Sequence, residues 1–213
     1  MRRQNIYFID EDAAARRSNG RSLKELLGSD EIEIRPIEPR PALSDYNDLI
    51  SEPDTAAFIL DQRMKGGGRV NYNGTDLARQ VRSINSKMPI YILTGHADEK
   101  DDFLGSEHLV ENIIGKDAID NTESEGAQVI KARILRHLNV FGDMRTDREN
   151  RFHELLIKSL REGLSEDEQQ EMDRLEGEST APVIAKEREL ERVIGAQVDS
   201  LQKFLQSQNN LLK

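Results

Sequence analysis

Short apolar runs alternate along the first part of the chain with stretches whose apolar residues recur at helical spacing. Ile6-Tyr7-Phe8-Ile9 reads as a buried strand. Residues 13–27 read as a helix, with Leu23, Leu26 and Leu27 in phase and Gly28 as a stop. Residues 31–37 alternate Ile32, Ile34 and Ile37 with charges, a second strand candidate interrupted by Pro36; Pro36, Pro39 and Pro41 mark a loop. Residues 42–51 are a short helix candidate. Residues 56–60 are apolar on both faces, as a strand must be when helices cover both sides of a parallel sheet. Residues 64–69, with Gly66-Gly67-Gly68, read as a flexible loop. Helical spacing returns over 74–87, a fourth strand over 89–93, a weak acid-rich helix over 98–110 and a fifth strand over 112–115. Residues 125–140 then form an amphipathic helix through Val129, Ile130, Ile134, Leu135 and Leu138. Strand and helix thus alternate five times. That order predicts an α/β fold, a flavodoxin-like (βα)5 doubly wound parallel sheet with strand order 2-1-3-4-5.

The character changes after Phe141-Gly142-Asp143, and residues 148–213 contain no strand-like run. Residues 148–161 read as a helix with Phe152, Leu155, Leu156 and Leu160 on one side. Ser165 to Glu168 has the capping-box pattern that opens another helix. A third helix is expected over about 182–208, where Leu190, Ile194, Val198, Leu201 and Leu205 form a coiled-coil-like seam that wants a partner helix. The expected organisation is a domain over residues 1–142 and an all-α C-terminal extension over 143–213.

Composition narrows the function. The chain has 213 residues and a formal net charge of −10, and residues 143–213 carry 16 acids against 11 bases. Phosphate backbones are bound by clustered Lys and Arg, so nucleic acid is not an expected partner. Arg2-Arg3 and Arg16-Arg17 are too short for such a patch and read as solvated surface. With no cysteine, disulfides and thiolate metal sites are excluded, which fits the reducing cytoplasm. No apolar run approaches a membrane span, so no membrane is expected as a partner. The basic N-terminus lacks the apolar stretch of a secretory leader, since Asp10 interrupts it.

Four of the apolar runs end in reactive groups. Asp10-Glu11-Asp12 follows the first strand, Asp61 the third, Thr94 the fourth and Lys116 the fifth. In a parallel α/β sheet the carboxyl ends of the strands share one edge, where ligands bind. Taken singly, Asp61 is a cap or solvated acid, Lys116 a surface lysine and Thr94 a satisfied hydroxyl. Only the four together, in order, point to a site. The glycine triplet lacks the Gly-Lys-Ser/Thr ending of a phosphate loop. His153 on its helix reads as structural, with phosphotransfer through it as a minor alternative.

On these residues the N-terminal part of the chain resembles the receiver domain of two-component response regulators. The resemblance implies that Asp61 is the phosphoacceptor for a histidine kinase or phosphotransfer protein. It implies that Asp10, Glu11, Asp61 and the backbone carbonyl of Arg63 hold Mg2+, that Lys116 pairs with a phosphoryl oxygen, and that Thr94 hydrogen-bonds the phosphoryl group. The expected protein is a cytoplasmic signalling module and not an enzyme. It would act through a downstream partner on the 148–213 helices, or through a homodimer. The sequence departs from the family at Lys65 and Asp117, where proline is usual, and at Ile113, where an aromatic switch residue is usual. It also has about five extra residues between Met64 and Gly74. These departures motivate an alternative, a phosphorylation-independent pseudo-receiver acting as a scaffold.

Overall fold

The computed structural model describes residues 3–95 and 105–177. Its centre is a five-stranded sheet in the order β2-β1-β3-β4-β5, every neighbouring pair parallel. The strands are β1 (Gln4–Ile9), β2 (Ile32–Ile37), β3 (Thr55–Leu60), β4 (Ile90–Thr94) and β5 (Asn112–Gly115). Helices α1 (Ala13–Leu27), α2 (Asn47–Ser51), α3 (Gly74–Ile84) and α4 (Glu125–Arg161) follow in chain order. A further helix, α5, occupies 166–177. The fold is therefore the flavodoxin-like (βα)5 arrangement, with a helical extension.

Side chains alternate across each strand and so build two cores. Ile6 and Phe8 of β1, Ile59 of β3 and Leu93 of β4 pack with Leu23, Leu26 and Leu27 of α1 and with Ile134 and Leu138 of α4. Tyr7, Ile9, Phe58, Leu60 and Ile92 face the other way, onto Leu49 and Ile50 of α2 and Leu77, Ala78 and Val81 of α3. Every residue of β3 and β4 is buried, which is why these strands read as unbroken apolar runs. Pro36 does not interrupt β2 but pairs with Phe8 within it. An edge strand tolerates a residue without an N–H, and β2 is an edge.

Three local expectations change. The 64–69 segment is not a free loop. It starts with a 3-10 turn, Met64–Gly67, and its continuation is tied down by Met64, Val70 and Tyr72, all in the core. The Tyr72 hydroxyl meets that of Tyr46 at 3.0 Å and donates to the Arg40 carbonyl at 2.5 Å. Residues 98–104 of the acid-rich helix lie outside the described residues, and the rest of that segment forms a 3-10 turn at Glu107–Leu109 rather than an α-helix. The helices expected over 125–140 and 148–161 are one, since α4 runs unbroken for 37 residues. One interior glycine, Gly142, weakens a helix by only about 1 kcal/mol, which packing on both sides of it overrides.

The expected capping box opens α5: Ser165 N–H donates to Glu168 Oε2 at 3.0 Å, and Glu168 N–H to Ser165 Oγ at 3.3 Å. Helix α5 turns back along α4, with Arg151 gripping Glu171 through two nitrogens and Lys158 paired to Glu168 at 2.6 Å. Lys158 and the Ser165 N–H hold the Glu168 carboxyl down at about 2. Two acids of the 162–178 stretch are therefore ion-paired rather than merely solvated. The helix expected over 182–208 lies outside the described residues. Among those described, no helix is long and apolar enough to cross a membrane.

Candidate functional site

Sheet register assembles the site. Ile9 pairs with Leu60, and the Asp61 N–H reaches the Ile9 carbonyl at 2.7 Å. The chain after β3 thus follows the chain after β1 for one more residue, placing Asp61 beside Asp10. On the other side Thr94 pairs with Gly115, so Lys116 leaves β5 at the same edge. Its ammonium lies 2.8 Å from Asp10 Oδ2 and 2.7 Å from Asp61 Oδ1. The second oxygens are held by backbone: Asp12 N–H donates to Asp10 Oδ1 at 2.9 Å, and Arg63 N–H to Asp61 Oδ2 at 2.8 Å. Asp12 in turn caps α1 through Ala14 and Ala15 N–H groups.

Asp10, Asp61 and Lys116 are therefore in direct contact. Glu11 is next to them, half-buried, and its Oε2 is buried with no hydrogen-bond partner. Thr94 is buried at the end of β4, one strand over from Asp61. The Arg63 N–H faces Asp61. His153 is exposed on α4, outside this edge.

Two carboxylates, Asp10 and Asp61, share the Lys116 ammonium, and Glu11 adds a third acid, so negative charge exceeds positive at a largely buried edge. Burial raises the pKa of Asp10, and the Asp61 charge adds to it against Lys116 and the Asp12 N–H. Burial also raises Glu11, and the Asp61 and Asp10 charges act in the same sense. Desolvation works to lower the Lys116 pKa, but the hydrogen bonds to Asp10 and Asp61 outweigh it, so the ammonium stays charged.

Among the described residues, no three acidic, histidine or cysteine side chains converge into a metal cage. The ammonium fills the space between Asp10 and Asp61. The oxygen donors nevertheless fit a small hard cation of the Mg2+ kind, which takes few protein ligands and keeps several waters. The unpartnered Glu11 Oε2 and the unbalanced charge are the observations behind that fit.

Three residues that the strand-end pattern did not single out organise this edge. Gln62 is buried; its Oε1 accepts from Thr75 N–H at 3.2 Å, while its backbone carbonyl accepts from Gly74 N–H at 3.0 Å. Gly74 lies so close that an added Cβ would fall 2.4 Å from the Asp61 carbonyl oxygen. Together they dock the first turn of α3 against the Asp61 backbone. Arg16 is not solvated surface, because its Nη1 donates to the carbonyls of Asp10 at 2.6 Å and Glu11 at 3.0 Å. A buried glutamine after an apolar strand and a glycine opening a helix are signals a sequence carries. Helical phase sets Arg16 apart from Arg17, since it falls in line with Gly20, Leu23 and Leu27, but the sequence does not show its partners.

Topology and side chains together describe a flavodoxin-like parallel sheet whose carboxyl edge holds a lysine bridging two aspartates, with an additional helical region. No family model and no curated protein matches the sequence. Solved structures do resemble it. A CheY-like response regulator receiver domain protein from Methanospirillum hungatei is 15% identical at a TM-score of 0.45, covering 67% of this chain and 98% of that one. The response regulator TrrA of Thermotoga maritima, solved in complex with Mg(2+)-BeF, is 17% identical at a TM-score of 0.45, covering 63% and 98%. A non-phosphorylated HemR receiver domain from Leptospira biflexa is 20% identical at 0.42, covering 64% and 94%. These are low-identity likenesses of fold.

Proposed function

We propose that this chain is a response regulator of a two-component phosphorelay, with residues 1–142 as receiver and 143–213 as a helical output region. The observation that carries the reading is the Asp10–Lys116–Asp61 network at the carboxyl edge of a parallel sheet. An Asp61 oxygen attacks the phosphorus of a phosphohistidine on a histidine kinase or phosphotransfer protein. The N–P bond breaks, the imidazole leaves with the bonding pair, and an acyl phosphate forms. Such transfers depend on positioning and charge neutralisation. Lys116 moves its pairing from Asp61 to a phosphoryl oxygen as a point charge, and the Thr94 hydroxyl donates to another. Asp10, Glu11, Asp61 and the Arg63 carbonyl would hold Mg2+, which supplies further neutralisation of the phosphoryl oxygens. The output is protein contact through the 148–213 helices or a homodimer, in the cytoplasm, without nucleic acid, membrane or an enzymatic output.

Phosphate-affinity electrophoresis after incubation with acetyl phosphate and Mg2+ tests the reading. A shifted band that disappears in Asp61→Asn supports it. A wild-type protein that binds Mg2+ but never takes up phosphate counts decisively against it.

A second reading, a phosphorylation-independent scaffold, draws on the anchored insertion after Met64 and on Ile113 in place of an aromatic residue. If Asp61→Asn left partner binding and output unchanged, the scaffold reading would be preferred.

A further inference from the structure

The β1–α1 turn carries both Asp10 and Glu11, and one oxygen of the Glu11 carboxylate, Oε2, is buried without a partner. Its direction is set by the backbone of the turn. The carbonyls of Asp10 and Glu11 lie between the end of β1 and the start of α1, and carbonyls in such a turn need partners. One nitrogen of Arg16 serves both, at 2.6 and 3.0 Å. The Arg16 side chain is 17% exposed, and its other nitrogen lies 3.5 Å from Glu38, a carboxylate shared with Arg69 of the segment after Asp61 at 3.0 Å. Glu38 and Arg69 are 60% and 70% exposed, so that outer pair adds little. The fixing element is the guanidinium on the two carbonyls.

We propose that Arg16 is a positioning residue for the cation site, holding the acidic turn so that the Asp10 and Glu11 carboxylates face Asp61. The inference rests on the proposed receiver reading. It has a distinctive sign. If Arg16 acted only through its charge, removing it would strengthen binding of a divalent cation, on the order of fivefold for a cation about 8 Å away in water. If it positions the ligands, removing it weakens binding, as loss of an outer-shell partner does, by roughly tenfold or more.

Titration calorimetry of the full chain with MgCl2 separates the two. Arg16→Ala is expected to bind Mg2+ at least about tenfold more weakly, and Arg16→Lys, which keeps a donor, is expected to fall between it and wild type. Arg17→Ala removes an equal charge one position along and is expected to leave affinity unchanged or higher. Glu38→Gln is expected to stay near wild type. Unchanged or tighter binding in Arg16→Ala overturns the proposal, and the same result in Arg16→Lys overturns it if the alanine variant does not fold. If wild type binds no Mg2+, the cation reading of the site fails separately. The positioning role is then decided by hydrogen exchange at the Asp12 amide, which is bonded to Asp10 Oδ1. Faster exchange there in Arg16→Lys, with the sheet unchanged, supports it, and unchanged exchange overturns it.

Discussion

Replacing Lys116 by methionine removes the ammonium that bridges Asp10 and Asp61. Methionine keeps the length and apolar stem of the side chain, so the loss is that of the charge. Asp10 is fully buried and the Lys116 side chain is 25% exposed. Removing one partner of a buried ion pair costs about 3–5 kcal/mol, and partial exposure of the ammonium puts the expected loss near the lower figure. The pH dependence has a definite sign. Lys116 has a raised pKa, so its contribution is complete below its unfolded value of about 10.4 and changes little between about pH 5 and 7.5. The Asp10 pKa is raised by burial, and it rises further without the ammonium. An acid whose folded pKa exceeds its unfolded value gains stability as pH falls through the folded value. The deficit of Lys116→Met should therefore shrink from about pH 7.5 toward about pH 5. Mg2+ should also stabilise the variant more than wild type, because the ammonium no longer competes for the space between Asp10 and Asp61 and Kd falls; a bound cation contributes RT ln(1 + [Mg2+]/Kd), about 2.7 kcal/mol at a hundred times Kd. Urea denaturation followed by far-UV circular dichroism, in EDTA and in excess Mg2+ at both pH values, measures all of this. A variant within about 1 kcal/mol of wild type in EDTA at about pH 7.5, or a deficit that widens with acid, would refute the reasoning.

Gly74→Ala puts a Cβ 2.4 Å from the Asp61 carbonyl oxygen; it should cost at least about 2 kcal/mol in urea denaturation and reduce phosphate uptake from acetyl phosphate. Tyr72→Phe deprives the Arg40 carbonyl and the Tyr46 hydroxyl of a partner, an expected loss of about 1–3 kcal/mol. Hydrogen exchange should then speed up over 65–73 ahead of the sheet. Glu11→Gln removes a carboxylate whose pKa burial and neighbouring acids raise, so it should stabilise the metal-free protein by on the order of 1 kcal/mol at about pH 7.5. The gain should fade as pH drops through the folded Glu11 value toward its unfolded value of about 4.3, and calorimetry should show weaker Mg2+ binding. Gly142→Ala adds a Cβ whose nearest contact is 3.7 Å, to Gln4; it should raise stability by about 1 kcal/mol if α4 is continuous there, and a lower melting temperature would mean that the helix breaks.

The strand ends were legible because a strand buried on both faces shows as an apolar run, and the first polar residue after it marks the sheet edge. Ile9 before Asp10, Leu60 before Asp61 and Leu93 before Thr94 are of this kind. The insertion after Met64 escapes the sequence pattern for a converse reason. Its glycines and charges look like loop, whereas its order comes from Val70 and Tyr72, too few and too irregularly spaced to make a periodic pattern. Arg16 was misjudged because its partners are two backbone carbonyls, and a sequence does not show which carbonyls a turn leaves unpaired. Gln62 carried a readable hint, a polar residue in a position that continues a buried strand, but its bond to Thr75 spans the whole insertion.

The continuity of α4 is hidden by Gly142 and by two arginines, Arg145 and Arg148. Its buried residues are Ala127, Ile134, Leu138, Phe141 and Leu155. Between the last two, Arg145, Arg148 and Phe152 line, with Phe141, a cavity of about 270 Å3 against Ile50, Met88 and Leu175. The positions 127, 134, 138, 141, 145, 148, 152 and 155 advance by sevens, fours and threes, a single stripe at coiled-coil spacing. An apolarity pattern stops at 145 and 148 and so divides the helix on paper. The stripe does not stop, because a long basic side chain lays its stem along an apolar seam and sends its charge outward. Arg145 instead keeps its guanidinium on the seam, 5.7 Å from the centre of the Phe141 ring. The consequence concerns how the sheet and the α4–α5 hairpin are joined. The cavity lies beside Glu52, Pro53, Thr55 and Met88, at the amino ends of β3 and β4, opposite the edge that holds Asp61. The same face of one helix packs on the sheet and then on α5, without a non-helical residue between Glu125 and Arg161. A tilt or shift of α4 on the sheet is therefore expected to carry the α4–α5 hairpin with it. On the proposed receiver reading, coupling from the Asp61 edge to the hairpin would need no hinge at Gly142, and Ile134→Ala or Leu138→Ala, which loosen the packing of α4 on the sheet, should weaken it.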